Sequence, residues 1–174
     1  IIKLSLTASR FRRRGELFTL LTLQDIRDEL EHEKMKQELH IAHNVQANLF
    51  PRKSPDIKNL EIKGFCKPAA EVGGDYYDFI ELEDNKLGIV VGDVSGKGVP
   101  AAFYTTLTKG LLHSTAKTCS DAKDALLRVN EFLHDYMEPE TFLTLFYAVV
   151  DYEHSTLTAF RAGHNSAFLI KKEE

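Results

Sequence analysis

The feature that most limits what this chain can fold into is a short acidic turn between two strand-forming runs. "GGDYYDFIELED" (Gly73–Asp84) leads directly into "NKLGIVVGDV" (Asn85–Val94). Both runs carry aromatic and β-branched residues, and Asp84 and Asn85 tolerate the backbone that a hairpin turn requires. If the turn centres on Asp84, Asp75 stands directly across from Asp93. Facing residues of paired strands have β-carbons about 4.5–5.5 Å apart on one side of the sheet. Two carboxylates at that spacing repel unless one is protonated or a cation lies between them. A slip of one residue would put them on opposite faces, so the turn decides the chemistry.

Glycines surround both aspartates: Gly73 and Gly74 precede Asp75, and Gly92, Gly96 and Gly98 frame Asp93. They leave space for an ion, its waters and a substrate. Oxygen-only ligation selects magnesium or manganese rather than zinc. The plainer reading is that both aspartates only decorate turns, although each ends a strand core rather than a loop tip. The same stretch, "VVGDVSGKGVPAAF" (Val90–Phe103), fails as a phosphate-binding loop. That motif needs four residues between its glycines and a hydroxyl after the lysine. Here three residues separate Gly92 from Gly96, and Gly98 follows Lys97. Lys97 is then either a phosphate ligand or simply exposed.

With 22 basic and 26 acidic residues the net charge is −4, which argues against a nucleic-acid partner. Only Arg10 and Arg12–Arg14 cluster, either beside a membrane or at a solvated helix start. Cys66 and Cys119 have no partner at metal-ligand spacing and read as free thiols of a reducing compartment. From Gly15 to about Leu49 proline is absent and helix formers dominate. Leu23, Ile26 and Leu30, then Met35, Leu39, Ala42 and Leu49, form a narrow seam suited to a dimerising helix or to one packed on its own domain. Pro51 and Pro55 end it. His40 and His43, one turn apart, could hold a metal or be merely polar surface. The chain divides into a linker helix over residues 1–50 and a domain over 51–174.

Beyond Pro55 strands are expected at Leu60–Ala69, in the Asp84 hairpin, in "FLTLFYAVVDY", "TLTAFRAG" and "NSAFLIKK". Two helices interrupt them. The first has Pro100 in its first turn and an apolar stripe of Val99, Ala102, Phe103, Leu107 and Leu111. The second has Ser120 as N-cap and buries Ala122, Ala125, Leu126, Val129, Phe132 and Leu133. Strands and helices segregated in this way indicate an α+β fold with an antiparallel sheet.

"AAEVGGDYYDF", "GIVVGDVSGKGVPAAF", the downstream "AGHN" and the upstream "ELHIAHNVQANLFP" together resemble the SpoIIE/RsbU-type branch of the PPM serine/threonine phosphatases. The resemblance runs from about Glu38 to the chain end. It implies an antiparallel β-sandwich flanked by helices, in an αββα arrangement, with a pair of manganese or magnesium ions at one edge. Asp75 and Asp93 match the family's first two metal-binding aspartates, and the carbonyl of Val94 its backbone ligand. Asp93 would bridge the ions, Asp75 would hold one of them, and Asp78 would either support the ligands or be solvated. His164 and Asn165 match "AGHN", as site residues or as a tight turn.

The implied activity is removal of phosphate from a phosphoserine or phosphothreonine on an anti-sigma-factor antagonist. The implied setting is the cytoplasm, or the cytoplasmic side of a membrane-linked sensor, with an upstream sensor domain and a homodimer formed through the N-terminal helix. One departure matters. The family's later aspartates, in a "TDG"-like segment and near the domain end, have no counterpart here: after Asn165 the acidic residues are Glu173 and Glu174. This chain therefore reads as a domain truncated at its C-terminus and of little activity by itself. The alternative is a catalytically inactive, dimeric docking module.

Overall fold

The computed structural model describes residues 2–58, 60–67, 71–119 and 121–170. The chain forms two compact units, Ile1–Ile41 and Ala42–Glu174.

The first unit corrects the expected Gly15–Leu49 helix. Strands β1 (Leu4–Arg13) and β2 (Glu16–Asp25) pair antiparallel, and only then does α1 (Arg27–Ala47) begin. The chain reverses at Arg14 and Gly15, both with positive φ (51° and 86°), the conformation a tight hairpin turn requires. Cross-strand pairing places Leu6 against Leu23 and Phe11 against Phe18, whose rings stack at 5.6 Å. Leu23 thus belongs to a sheet. Its helical spacing to Ile26 and Leu30 arises because the strand passes into the helix within three residues. Arg10, Arg12 and Arg13 lie on β1, not at a helix start, and are exposed.

In the second unit β3 (Asp75–Leu82), β4 (Lys86–Val94), β5 (Leu143–Asp151) and β6 (Thr156–Ala162) form one antiparallel sheet in that order. Asp84 and Asn85 both take φ near 57°, and the hairpin has the register expected from a turn centred on Asp84. Two helices, α2 (Val99–Thr115) and α3 (Ala122–Tyr136), pack on one face of the sheet. Tyr76, Ile80, Val90, Leu145 and Tyr147 meet Leu112, Ala125, Val129 and Leu133 in the core. Complete burial of residues such as Ile80 and Leu112 stabilises the fold by about 1.5–3 kcal/mol each.

The α2 stripe is narrower than its leucines suggest. Ala101, Ala102, Thr105, Thr108 and Leu112 face inward, whereas Phe103 is 70% exposed. Thr105 and Thr108 are buried because each hydroxyl bonds the carbonyl four residues back, at 3.0 and 2.7 Å. The N-cap of α3 is Asp121, whose carboxylate accepts the Asp124 amide at 2.8 Å. Ser120, the expected cap, lies outside the described residues.

The α+β class and the antiparallel sheet flanked by helices are as expected. The described residues of this unit build one sheet layer and the helices on its inner face. Two expected strands do not form among them. Residues 61–67 make no ladder, and Pro68–Ala69 lie outside the described residues. Gly64 sits so close to the Tyr77 ring that a β-carbon there would collide with it. The segment thus lies against a side chain of β3, a contact that offers no backbone partner. Residues 165–170 of the expected "NSAFLIKK" strand likewise make no ladder, with Phe168 92% exposed, and Lys171–Lys172 lie outside the described residues. Alternation makes a segment competent for a sheet; only a neighbouring strand makes it one.

Candidate functional site

Asp75 opens β3 and Asp93 lies next to the end of β4, directly opposite it. The Val94 amide donates to the Gly74 carbonyl at 3.2 Å. Bonded and non-bonded pairs alternate along an antiparallel ladder, so Asp75 and Asp93 form a non-bonded pair with α-carbons about 4.5 Å apart. Both residues are exposed. Among the described residues no hydrogen bond or ion pair reaches either carboxylate. Gly74 is required here, because a β-carbon would collide with the Val94 carbonyl oxygen. That carbonyl therefore lies beside the residue preceding Asp75, while the Val94 side chain is buried.

The backbone ahead of Asp75 is held from two sides. Gln46, in the last turn of α1 and 6% exposed, donates Nε2–H to the Gly73 carbonyl at 2.7 Å and accepts the Gly73 amide at 3.2 Å. His43 Nδ1 bonds the Glu71 carbonyl. From the other side, the Thr105 hydroxyl of α2 lies 3.1 Å from the Gly74 carbonyl, its one hydrogen shared between that oxygen and the Ala101 carbonyl. The loop after Asp93 is tied to the start of β5: the Ser95 amide donates to the Phe142 carbonyl at 2.8 Å, and the Phe142 amide to Ser95 Oγ at 2.9 Å. Lys97 is exposed in this loop.

Asp78 has a different fate from either sequence reading. Three residues after Asp75, it points to the opposite face and is 2% exposed, so it is not solvated. One carboxylate oxygen accepts the Tyr76 hydroxyl at 2.8 Å and meets His113 Nε2 at 2.7 Å and the Lys109 ammonium. The other accepts the Phe79 amide at 2.9 Å. Burial, followed by the charge of Asp78, pushes the Tyr76 phenol far above its ordinary value.

Asp75 and Asp93 open into a cavity of about 520 Å³ that His164, Asn165, Cys66 and Tyr77 also line. His164 and Asn165 are therefore brought to the aspartates. Gly163, with φ +67°, turns the chain after β6 and bridges Leu145. This sets His164 Nδ1 2.8 Å from Thr144 Oγ1, on the residue that pairs with Asp93 across β4 and β5. Burial, then the charge of Asp75, raises the Cys66 thiol above its usual value and disfavours thiolate. Cys66 and Cys119 are both free.

Among the described residues no group of three or more His, Cys, Asp and Glu side chains gathers at one point. Sequence reasoning missed Gln46, Thr105 and Thr144. Gln46 had a signal: it falls on the seam of Leu39, Ala42 and Leu49, where a buried polar side chain must find a partner.

The sheet-and-helix arrangement is that of PP2C-type phosphatase domains. The solved SiaA-PP2C domain of Pseudomonas aeruginosa superposes with a TM-score of 0.60 over 76% of this chain and 55% of that one, at 23% identity, a likeness of fold. The family profile described as Stage II sporulation protein E (SpoIIE) matches residues 83–174, more than half of the sequence, and the chain belongs to this SpoIIE family. The phosphoserine phosphatase RsbU of Bacillus subtilis is 31% identical over 88% of this chain and 44% of its own length. The protein IcfG of Synechocystis is 29% identical over 92% of this chain and 29% of its own length. The chain thus spans less than half of each of these relatives.

Proposed function

We propose that the protein containing this chain is a manganese- or magnesium-dependent phosphatase of phosphoserine or phosphothreonine proteins, acting on an anti-sigma-factor antagonist in bacterial signalling. The observation that carries this reading is the facing Asp75–Asp93 pair, which opens on a cavity and, among the described residues, has no ion pair of its own. The relative named a phosphoserine phosphatase supports the substrate class.

Asp75, Asp93 and the Val94 carbonyl form the oxygen-only set that a hard divalent ion takes. Such an ion lowers the pKa of its bound water and screens the phosphate's charge during in-line attack. The chain's own residues supply the rest. Asp93 and Asp75 fix the ion's position from two strands of one hairpin. Gln46 and Thr105 hold the Gly73–Gly74 backbone, and with it Asp75, in place. Tyr77 and Phe79 give the cavity an apolar wall that limits water. Two carboxylates hold one ion weakly, so a pair of ions needs ligands beyond those described.

In this reading α1 joins two such chains and relays the state of an upstream sensor domain, because its last turn grips the backbone ahead of Asp75. No described helix is long and apolar enough to cross a membrane, and the free cysteines favour a reducing cytoplasm.

Manganese-dependent hydrolysis of a chromogenic phosphate ester tests the reading, with Asp93→Asn as the control. Loss beyond the roughly 10–100-fold that an outer-shell partner costs is expected when an ion ligand itself is changed; equal activity of both proteins would sink the metal assignment. A second reading, a docking module without catalysis, fits the set of two carboxylates found among the described residues. Manganese titration separates the two, because the docking module binds no ion at Asp93.

A further inference from the structure

His164 occupies a position that the metal-ligand set does not use. It lines the cavity that holds Asp75 and Asp93 and is half-buried, while Thr144 anchors it through Nδ1 at 2.8 Å. The Thr144 hydroxyl has one hydrogen and two acceptors in reach, His164 Nδ1 and, at 3.4 Å, the Asp93 carbonyl. Thr144 thus engages Nδ1, and Nε2 is the ring nitrogen left for a guest in the cavity. The left-handed turn at Gly163 and the bridge to Leu145 fix the loop that carries the ring. Asn165, next in the chain, lines the same cavity.

A phosphate monoester approaching two carboxylates meets repulsion that a bound cation offsets only in part, so its outer oxygens need donors. An imidazole N–H held at the cavity wall is such a donor. We infer that His164 is a substrate-binding residue whose Nε2–H donates to a phosphoryl oxygen of the phosphoserine or phosphothreonine, with Asn165 beside it. This rests on the phosphatase reading above. In the blander alternative the His164–Thr144 bond merely closes a turn.

Inorganic phosphate, added to the magnesium-saturated chain and followed by NMR of the histidine ring protons, separates these outcomes. The His164 signal is assigned by its loss in His164→Gln. Phosphate is expected to move that signal. His164→Ala is expected to weaken phosphate binding about tenfold, the usual scale for one hydrogen bond to a charged group, and to leave magnesium affinity unchanged. His164→Gln, whose amide N–H reaches the same place, is expected to restore most of the loss.

An unmoved signal, or equal phosphate affinity in His164→Ala, overturns the inference. So does a parallel loss of magnesium and phosphate affinity, which would mark a structural role. Magnesium binding without phosphate binding in the unaltered chain overturns the inference but leaves the metal reading standing. Binding of neither ion removes the phosphatase reading and this inference with it.

Discussion

Asp78 and Asp75 sit three residues apart on one strand, yet the fold treats them in opposite ways. Asp78 faces the helices, is buried, and receives Lys109, His113, the Tyr76 hydroxyl and the Phe79 amide. Asp75 faces the cavity across from Asp93 and receives no hydrogen bond or ion pair among the described residues. A buried carboxylate must be paired because desolvation is costly. An exposed pair of carboxylates is tolerated because water screens it, and it stays available to a cation from solution. The protein thus ties a counter-charge directly to the aspartate that is structural, and where we propose an ion it leaves both carboxylates out of ion pairs among the described residues, with Lys63 and Lys67 on the cavity wall.

The largest expected effect breaks the buried half of this contrast. Asp78→Ala leaves Lys109, His113 and the Tyr76 hydroxyl without their acceptor, and is expected to destabilise the chain by about 3 kcal/mol, the low end for a broken buried pair because Lys109 is still 20% exposed. Urea denaturation measures it. Lys109→Met should cost a similar amount, since it leaves the buried Asp78 carboxylate without its ammonium partner. A loss no larger than that from an exposed aspartate would show that burial does not set the requirement.

Asp93→Asn probes the other half. Without divalent ions it relieves a cross-strand repulsion and is expected to stabilise the chain by about 0.2–1 kcal/mol. With ion at about 100 times its dissociation constant, the unaltered chain gains about 2.7 kcal/mol, and the variant forfeits most of that gain. Thermal melts with and without manganese should therefore cross over in rank order. If the unaltered chain is the more stable in chelator too, repulsion across the hairpin is negligible.

The hairpin register was legible because Asp84 and Asn85 announce the turn, and the register alone sets Asp75 opposite Asp93. The fate of Asp78 was also within reach: strands alternate faces, so a residue three beyond Asp75 must point the other way. Its partners Lys109 and His113 come from α2, which no local pattern could pair with it. The β1–β2 hairpin was hidden because leucines at the strand-to-helix junction mimic a helical seam. Residues 61–67 and 165–170 alternate as strands do, but pairing is a property of the neighbours, and their sequence does not encode it. Gln46 and Thr105 act through backbone carbonyls of distant glycines, contacts that only the folded chain creates.

Gln46→Ala tests whether the unpartnered aspartates are held from behind. It leaves the Gly73 amide and carbonyl without Gln46, and a loss of about 1–2 kcal/mol is expected. Manganese affinity should fall as Asp75 loses its fixed position. Unchanged affinity at reduced stability would show that Gln46 only packs α1 and does not set the Asp75 geometry.

Asp151 provides the intermediate case and the smallest effect. Half-buried at the end of β5, it accepts the His154 amide at 2.9 Å and faces the His154 ring at 3.0 Å. The His154 amide and imidazole hold its carboxyl below the usual 3.8, and Asp151 in turn raises the exposed His154 above 6.5. His154 therefore adds stability that is fully present below pH 6.5 and lost as the pH climbs through its raised value. Asp151 adds stability present above pH 3.8 and lost as the pH falls through its lowered value. NMR titration of His154 should return it toward 6.5 in Asp151→Asn. An unshifted titration would mean that a carboxylate with a protein partner so near the surface gains no more from it than Asp75 and Asp93 gain from having none.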